Sequence, residues 1–140
     1  MKIYLAAPLF NERERKYNSY LKQLLNHDVF LPQEDGELIT NLLREGMDLR
    51  TAIARIHQND LKALHQCELM IAVLDGAHVD SGVAFEIGFF SALGKPIIGM
   101  HNDTRSELPF GHNPMIAGAL EKVVTNDQEL LAAVKAFSDA

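Results

Sequence analysis

The chain alternates short apolar runs with longer amphipathic stretches, the pattern left when strands and helices take turns in a parallel α/β sheet. Residues 2–7, KIYLAA, read as a first strand. Pro8 and Asn11 punctuate it, and residues 11–26 form a helix with Tyr17, Tyr20, Leu21, Leu24 and Leu25 on one side. Val29, Phe30 and Leu31 make a short second strand ended by Pro32, and the stretch 33–47, holding Gly36 and Gly46, reads as a loop with a helical turn. A second long helix covers 48–66, where Leu49, Ile53, Ile56, Asp60 and Leu64 recur at helical spacing. Residues 68–74, ELMIAVL, are continuously apolar, as a strand buried on both faces must be. A loop at 75–80 leads into a helix at about 81–93, then a strand at 96–100 that carries Pro96 at its first position. The polar stretch 101–112, rich in Gly, Pro and Asn, reads as a mobile loop. A short helix at 114–120 and a strand at 122–124 follow. Asn126 starts the last helix, with Glu129 as its capping-box partner.

Five strands separated by helices predict one doubly wound domain over residues 1–140. One sequence does not give the strand order. Of the two common orders, the flavodoxin-like 2-1-3-4-5 suits five strands. The active site is then expected beyond the carboxyl ends of the strands, in the loops after strands one, three and four.

Composition narrows the function classes. The hydrophobic share of 47% and charged share of 23% are those of a globular protein. A net charge of −6 argues against a nucleic acid polymer or an anionic membrane as partner, since both demand a basic face. Cys67 is the single cysteine, so no internal disulfide is possible and a reducing cytoplasm is expected; the thiol reads as buried filler. The apolar start MKIYLAAPLF is too short for a membrane span and a poor signal peptide, and a buried first strand accounts for it.

The densest chemistry lies in LDGAHVDSGVAFEIG, residues 74–88. Asp80-Ser81-Gly82 opens a helix, and Glu86 lies one to two turns into it among Val83, Ala84, Phe85, Ile87, Phe89 and Phe90. A carboxylate in such company is costly unless it has partners or work. The fragment also fits a plainer reading, in which Asp80 is only an N-cap and Glu86 a solvated helix residue. Other features are open in the same way. Tyr4 interrupts an apolar strand, as a core tyrosine with a satisfied hydroxyl would. Asp60 fits an exposed acid on a polar helix face, and Asn113-Pro114-Met115 fits a turn before a helix. His57, His65, His78, His101 and His112 lack metal-ligand spacing. Glycine-rich phosphate motifs and a GxSxG elbow are absent from the sequence.

Together these pieces resemble one family, the nucleoside 2-deoxyribosyltransferases. The resemblance runs over nearly the whole chain: KIYLAAPLF at the start, QNDLKAL before strand three, DSGVAFEIGFFSALGKPI after it, and NPM late. It implies a flavodoxin-like fold, no metal or organic cofactor, 2′-deoxynucleosides and free nucleobases as small-molecule partners, and a place in nucleotide salvage. It also implies residue roles. Glu86 matches the nucleophile that attacks C1′, and Tyr4 the hydroxyl that orients it. Asp60 and Asp80 match the acids that hold the base and help protonate it, Asp80 being counted with the catalytic set. Asn113 and Met115 match residues that reach the sugar 5′-hydroxyl from a neighbouring subunit, which implies a homo-oligomer with shared sites. By position, Gly82 belongs to the substrate site, and Pro8 and Phe10 wall the base pocket. On this reading Glu86 is expected to titrate as an ordinary anion, while a base-contacting Asp holds a proton more tightly.

The sequence also departs from the family. An aromatic-rich C-terminal tail is common there, whereas this chain ends AAVKAFSDA, and the loop 101–112 is its own. Two rival functions remain at this stage. One is a 2′-deoxynucleoside 5′-phosphate N-hydrolase on the same scaffold; the other is a non-catalytic nucleotide-binding module of flavodoxin-like fold.

Overall fold

The computed structural model describes residues 1–105 and 111–140. Five parallel strands form one sheet: β1 (Lys2–Ala6), β2 (Asp28–Phe30), β3 (Leu69–Val73), β4 (Ile97–Met100) and β5 (Lys122–Val124), in the order β2-β1-β3-β4-β5. This is the flavodoxin-like order. The order in which strands are added reverses between β1 and β3, and a crevice at that switch point is where such sheets bind ligands.

Two-residue alternation along the strands divides the interior. Ile3, Leu5, Ile71, Val73 and Ile98 point to one face, where Leu21 and Leu25 of α1 (Glu12–Leu25) and Leu130 and Val134 of α7 (Asp127–Ser138) cover them. Tyr4, Ala6, Met70, Ala72 and Ile97 point to the other, under Leu64 of α4 (Leu49–Gln66) and Val83, Ile87 and Phe90 of α5 (Ser81–Ala92). Because both faces are covered, β3 is buried at every residue, which is why its sequence shows no alternation.

Short polar side chains start the helices. Asn11, Asp48, Asp80 and Asn126 each accept a hydrogen bond from the backbone N–H three residues on. The expected capping box of α7 is shifted by one residue, since Glu129 Oε2 accepts from the Thr125 N–H at 2.9 Å. Buried Cys67 caps the end of α4, as an apolar filler.

Three stretches differ from expectation. The segment 33–47 holds two short helices, α2 (Pro32–Asp35) and α3 (Ile39–Arg44), hinged at Gly36. Pro32 ends the strand by opening α2, because a fixed φ and a missing N–H cost nothing in a first helical turn. The helix expected at 114–120 is a single turn, α6 (Pro114–Ala117). On α4 the apolar stripe overruns the sheet: Leu49 and Ile53 stay more than half exposed, while Ala63 and Leu64 are buried. Similarly, Tyr20 is largely exposed on α1 and donates to Asp127. The tip of the expected mobile loop, 106–110, lies outside the described residues. Its described base is tied down, with Asp75 Oδ1 accepting from the N–H groups of Asn102 (2.9 Å) and Asp103 (3.2 Å). Among the described residues, no helix is long and apolar enough to cross a membrane.

Candidate active site

Asp80 accepts from Val83 N–H at 3.1 Å and fixes where α5 begins. Glu86 then falls in the second turn, on the side that faces the sheet and α4. Tyr4 lies in β1 on the same side of the sheet, fully buried and stacked on Phe30 with ring centroids 5.4 Å apart. Its hydroxyl donates to Oε2 of Glu86. Both readings of Tyr4 therefore hold: it is a core tyrosine, and the group that satisfies its hydroxyl is the candidate nucleophile.

Glu86 looks into a cleft of about 570 Å³ outside the carboxyl ends of β1, β2 and β3. Asp60 from α4, Asp80 and Gly82 from the start of α5, and Phe10 from the loop after β1 line the same cleft. The site thus gathers four carboxyl groups, three from α4 and the start of α5 and a fourth, Glu37, from the segment between α2 and α3, under walls supplied mostly by Ile, Leu and Phe. Asp60 is not the exposed acid that its helix position allowed. Its place on the Ile53–Ile56–Leu64 stripe turns it toward α5.

The dry walls set the protonation of these groups. Burial pushes the Glu86 carboxyl up to about 8; the Asp60 and Asp80 charges add to the rise, and the Tyr4 hydrogen bond opposes it. Glu86 is therefore not the ordinary anion expected. The partial positive charge of the α5 N-terminus is too weak to offset desolvation in the second turn of the helix. Asp60 is pushed up to about 6 by burial, with His57 pulling the other way. Here the expectation of a tightly held proton is met. The Tyr4 phenol is raised far above its ordinary range by burial and then by the Glu86 charge, so it stays a donor.

Other expected site residues fall differently. Gly82 sits against the acid, since a Cβ there would lie 3.2 Å from Asp80 Oδ2. Phe10 stands at the cleft mouth, 75% exposed. Pro8 lies behind the wall, buried, its carbonyl accepting from Asn18 Nδ2 at 2.9 Å, and Ala7 and Leu9 take the wall positions. Asn113 and Met115 are not brought to Glu86 within this chain. They border a separate depression on the other side of α5, where Asn113 Oδ1 caps α6 through Met115 N–H at 2.9 Å and Met115 is 84% exposed. His57 and His65 face the rings of Phe85 and Phe89, at 5.9 and 5.3 Å.

Three ionisable lining residues were not among the expected site residues: Arg15, Glu37 and His57. His57 was findable, because it precedes Asp60 by three positions and so shares its face of the helix. Glu37 and Arg15 carry no such signal, being placed by the α2–α3 hinge and the loop after β1.

Comparison with known proteins bears on this site. The family model for nucleoside 2-deoxyribosyltransferase matches residues 3–132. The chain belongs to the nucleoside 2-deoxyribosyltransferase family. Within and around that family, it is 30% identical to a nucleoside deoxyribosyltransferase of Limosilactobacillus fermentum over 125 residues, covering 83% of this chain and 74% of the relative. It is 27% identical over 104 residues to a Thermofilum pendens protein provisionally named 2′-deoxynucleoside 5′-phosphate N-hydrolase 1, covering 71% of this chain and 67% of that one. Among solved structures, a 2-deoxyribosyltransferase of Bacillus psychrosaccharolyticus superposes with a TM-score of 0.73 at 28% identity, over 94% of this chain and 90% of the other. The family match contains Tyr4, Asp60, Asp80, Glu86, Asn113 and Met115 within its bounds.

Proposed function

We propose that this chain exchanges nucleobases on 2-deoxyribose by a retaining double displacement through a deoxyribosyl-Glu86 intermediate. The observation that carries the reading is the Tyr4–Glu86 hydrogen bond inside a cleft that also holds the raised carboxyl of Asp60. In the first step the C1′–N bond breaks, a Glu86 oxygen bonds to C1′, and the Asp60 proton passes to the departing base. In the second, a nitrogen of the incoming base attacks C1′, the C1′–O bond breaks, and the base proton returns to Asp60. Two inversions at one carbon leave the configuration unchanged. The oxocarbenium-like transition state brings a positive charge to a carboxylate that burial and the neighbouring acids disfavour, so the site stabilises the transition state more than the ground state.

Asp60 suits the proton transfer better than Asp80, because Oδ2 of Asp80 is already engaged as the α5 cap. Asp80 then positions the helix and the base. Asn113 and Met115 act on a neighbouring chain's cleft, which makes the active species an oligomer.

A second reading, hydrolysis of a 2′-deoxynucleoside 5′-phosphate, is favoured by the Thermofilum pendens relative. An Arg15 guanidinium also lines the cleft, and its donation to the Leu9 carbonyl at 3.1 Å leaves it further donors for a 5′-phosphate, which supports this second reading. Incubation of free adenine with deoxyinosine, and separately with deoxyinosine 5′-monophosphate, followed by chromatography, separates the readings. Transfer yields deoxyadenosine from the nucleoside, while the hydrolase yields deoxyribose 5-phosphate and hypoxanthine from the monophosphate. Intact-mass analysis after acid quench, with deoxynucleoside alone, should find the deoxyribosyl adduct. Turnover with the adduct repeatedly absent, and mapped nowhere on Glu86, would sink the covalent mechanism.

A further inference from the structure

Asp60 has a close neighbour across the cleft wall. A Cβ at Gly36 would lie 2.7 Å from the Pro32 carbonyl, so the turn that ends α2 requires glycine, and 3.5 Å from Asp60 Oδ1, a contact distance that brings the α2–α3 hinge beside the acid. The next residue is Glu37, which lines the cleft among Leu38, Ile39, Ile53 and Ile56. Arg55 holds its carboxylate from behind, with Nη2 donating to Oε1 at 2.7 Å and Nε 2.6 Å from Oε2. The Glu37 side chain keeps 30% exposure. Its Oε2 is buried inside that ion pair, and Oε1, with two lone pairs, can accept one hydrogen bond beyond the one from Arg55.

We propose that Glu37 determines base specificity by reading the 6-substituent of a purine and favouring amino over oxo. The proposal rests on the transferase reading only in taking Asp60 as the residue that protonates the base. In a purine, N7 and the 6-substituent share one edge of the ring. A purine whose N7 meets Asp60 therefore turns that substituent toward the residue beside Asp60, which is Glu37. An ion-paired carboxylate accepts and does not donate, so it binds the amino group of adenine and repels the 6-oxo group of hypoxanthine. Arg55 keeps the carboxylate in one orientation, and the apolar wall denies the rejected base a water to mediate the contact.

Titration calorimetry with free adenine and free hypoxanthine tests this on wild type and Glu37→Gln, with turnover of deoxyadenosine and deoxyinosine followed in parallel. Wild type should bind adenine at least about tenfold tighter than hypoxanthine, and Glu37→Gln, whose amide both donates and accepts, should bring the two within about threefold. A merely structural role for Glu37 would lower Tm without moving that ratio. If Glu37→Gln does not fold, Arg55→Met decides: it leaves the carboxylate but unpins it, and should shrink the preference. An unchanged ratio in the folded variant, a wild-type preference for hypoxanthine, or no binding of either base overturns the proposal. Loss of the ratio in Glu37→Gln with no turnover of either deoxyadenosine or deoxyinosine in wild type would leave Glu37 as the base reader and sink the glycosyl-transfer reading instead.

Discussion

The Tyr4 hydroxyl donates to the Glu86 carboxylate across 82 positions of sequence, and this contact joins the first strand to the helix after the third. It does two things at once. It satisfies a hydroxyl in the core, and it holds one carboxylate oxygen so that the other is free to face the cleft. Tyr4→Phe should fold, because the ring stays packed on Phe30. A hydrogen bond to a charged group is worth about 1.5–3 kcal/mol, so kcat/KM should fall about 10- to 100-fold. The same bond opposes the rise of the Glu86 pKa, so its loss should move the Glu86 titration above about 8. An unchanged rate and pH profile would reduce Tyr4 to a packing residue.

Glu86 should make the fold less stable as pH rises. Its carboxyl is neutral in the folded state up to about 8 but ionises near its ordinary value of 4.5 in the unfolded chain. The unfolded state then binds fewer protons across that window, so stability is greatest below it and is lost progressively toward pH 8. The full effect is at most about 5 kcal/mol. Glu86→Gln removes it, keeps the shape, and should be more stable than wild type at pH 8 while losing nearly all turnover. Urea denaturation at pH 5 and pH 8 checks the sign; a difference between the two proteins that does not grow with pH contradicts the buried-acid account.

Catalysis needs Glu86 ionised and Asp60 protonated, yet the structure makes Asp60 the stronger acid of the two, at about 6 against about 8. Only a minority of the singly protonated site is then productive. The profile of kcat/KM should be a bell between those values, both belonging to the coupled site. Asp60→Asn should lower the rate by about 10²-fold and abolish the falling limb, since no proton remains to be lost. Its rising limb should have a midpoint below 8, because the Asp60 charge no longer opposes Glu86 ionisation. A bell that survives intact in Asp60→Asn would assign the acid elsewhere.

If Asn113 and Met115 serve a neighbour's cleft, two inactive proteins should rescue each other. Glu86→Ala and Asn113→Ala subunits, mixed and allowed to exchange, form interfaces in which one intact Glu86 meets one intact Asn113. Equal mixing should restore up to about a quarter of wild-type activity in a dimer with random exchange. Absence of recovery, with subunit exchange shown by native mass spectrometry, would place both residues in the same chain's site.

Much of this protein was legible along the chain. The unbroken apolar run of residues 69–73 could only be a strand covered on both faces, and Asn11, Asp48, Asp80 and Asn126 mark helix starts by local chemistry that needs no tertiary context. Glu86 stood out because a carboxylate among Phe and Ile residues demands a reason. The hinge at 36 and the two short helices around it were not legible, because such turns are stabilised by what they pack on rather than by periodicity. Asp60 looked like a surface acid because sequence gives spacing on a helix but not the direction in which that helix faces. The protonation of Glu86 was misjudged for a related reason: position in a helix is local, whereas desolvation depends on α4, β1 and the α2–α3 hinge closing around the carboxyl. Sequence by itself determined the five strands and the long helices α1, α4, α5 and α7, since those choices rest on local preferences. Only the tertiary structure decided that Asp60, Glu37 and Glu86 share one cleft with Tyr4 buried behind Glu86, because burial and charge coupling are set by distances through space.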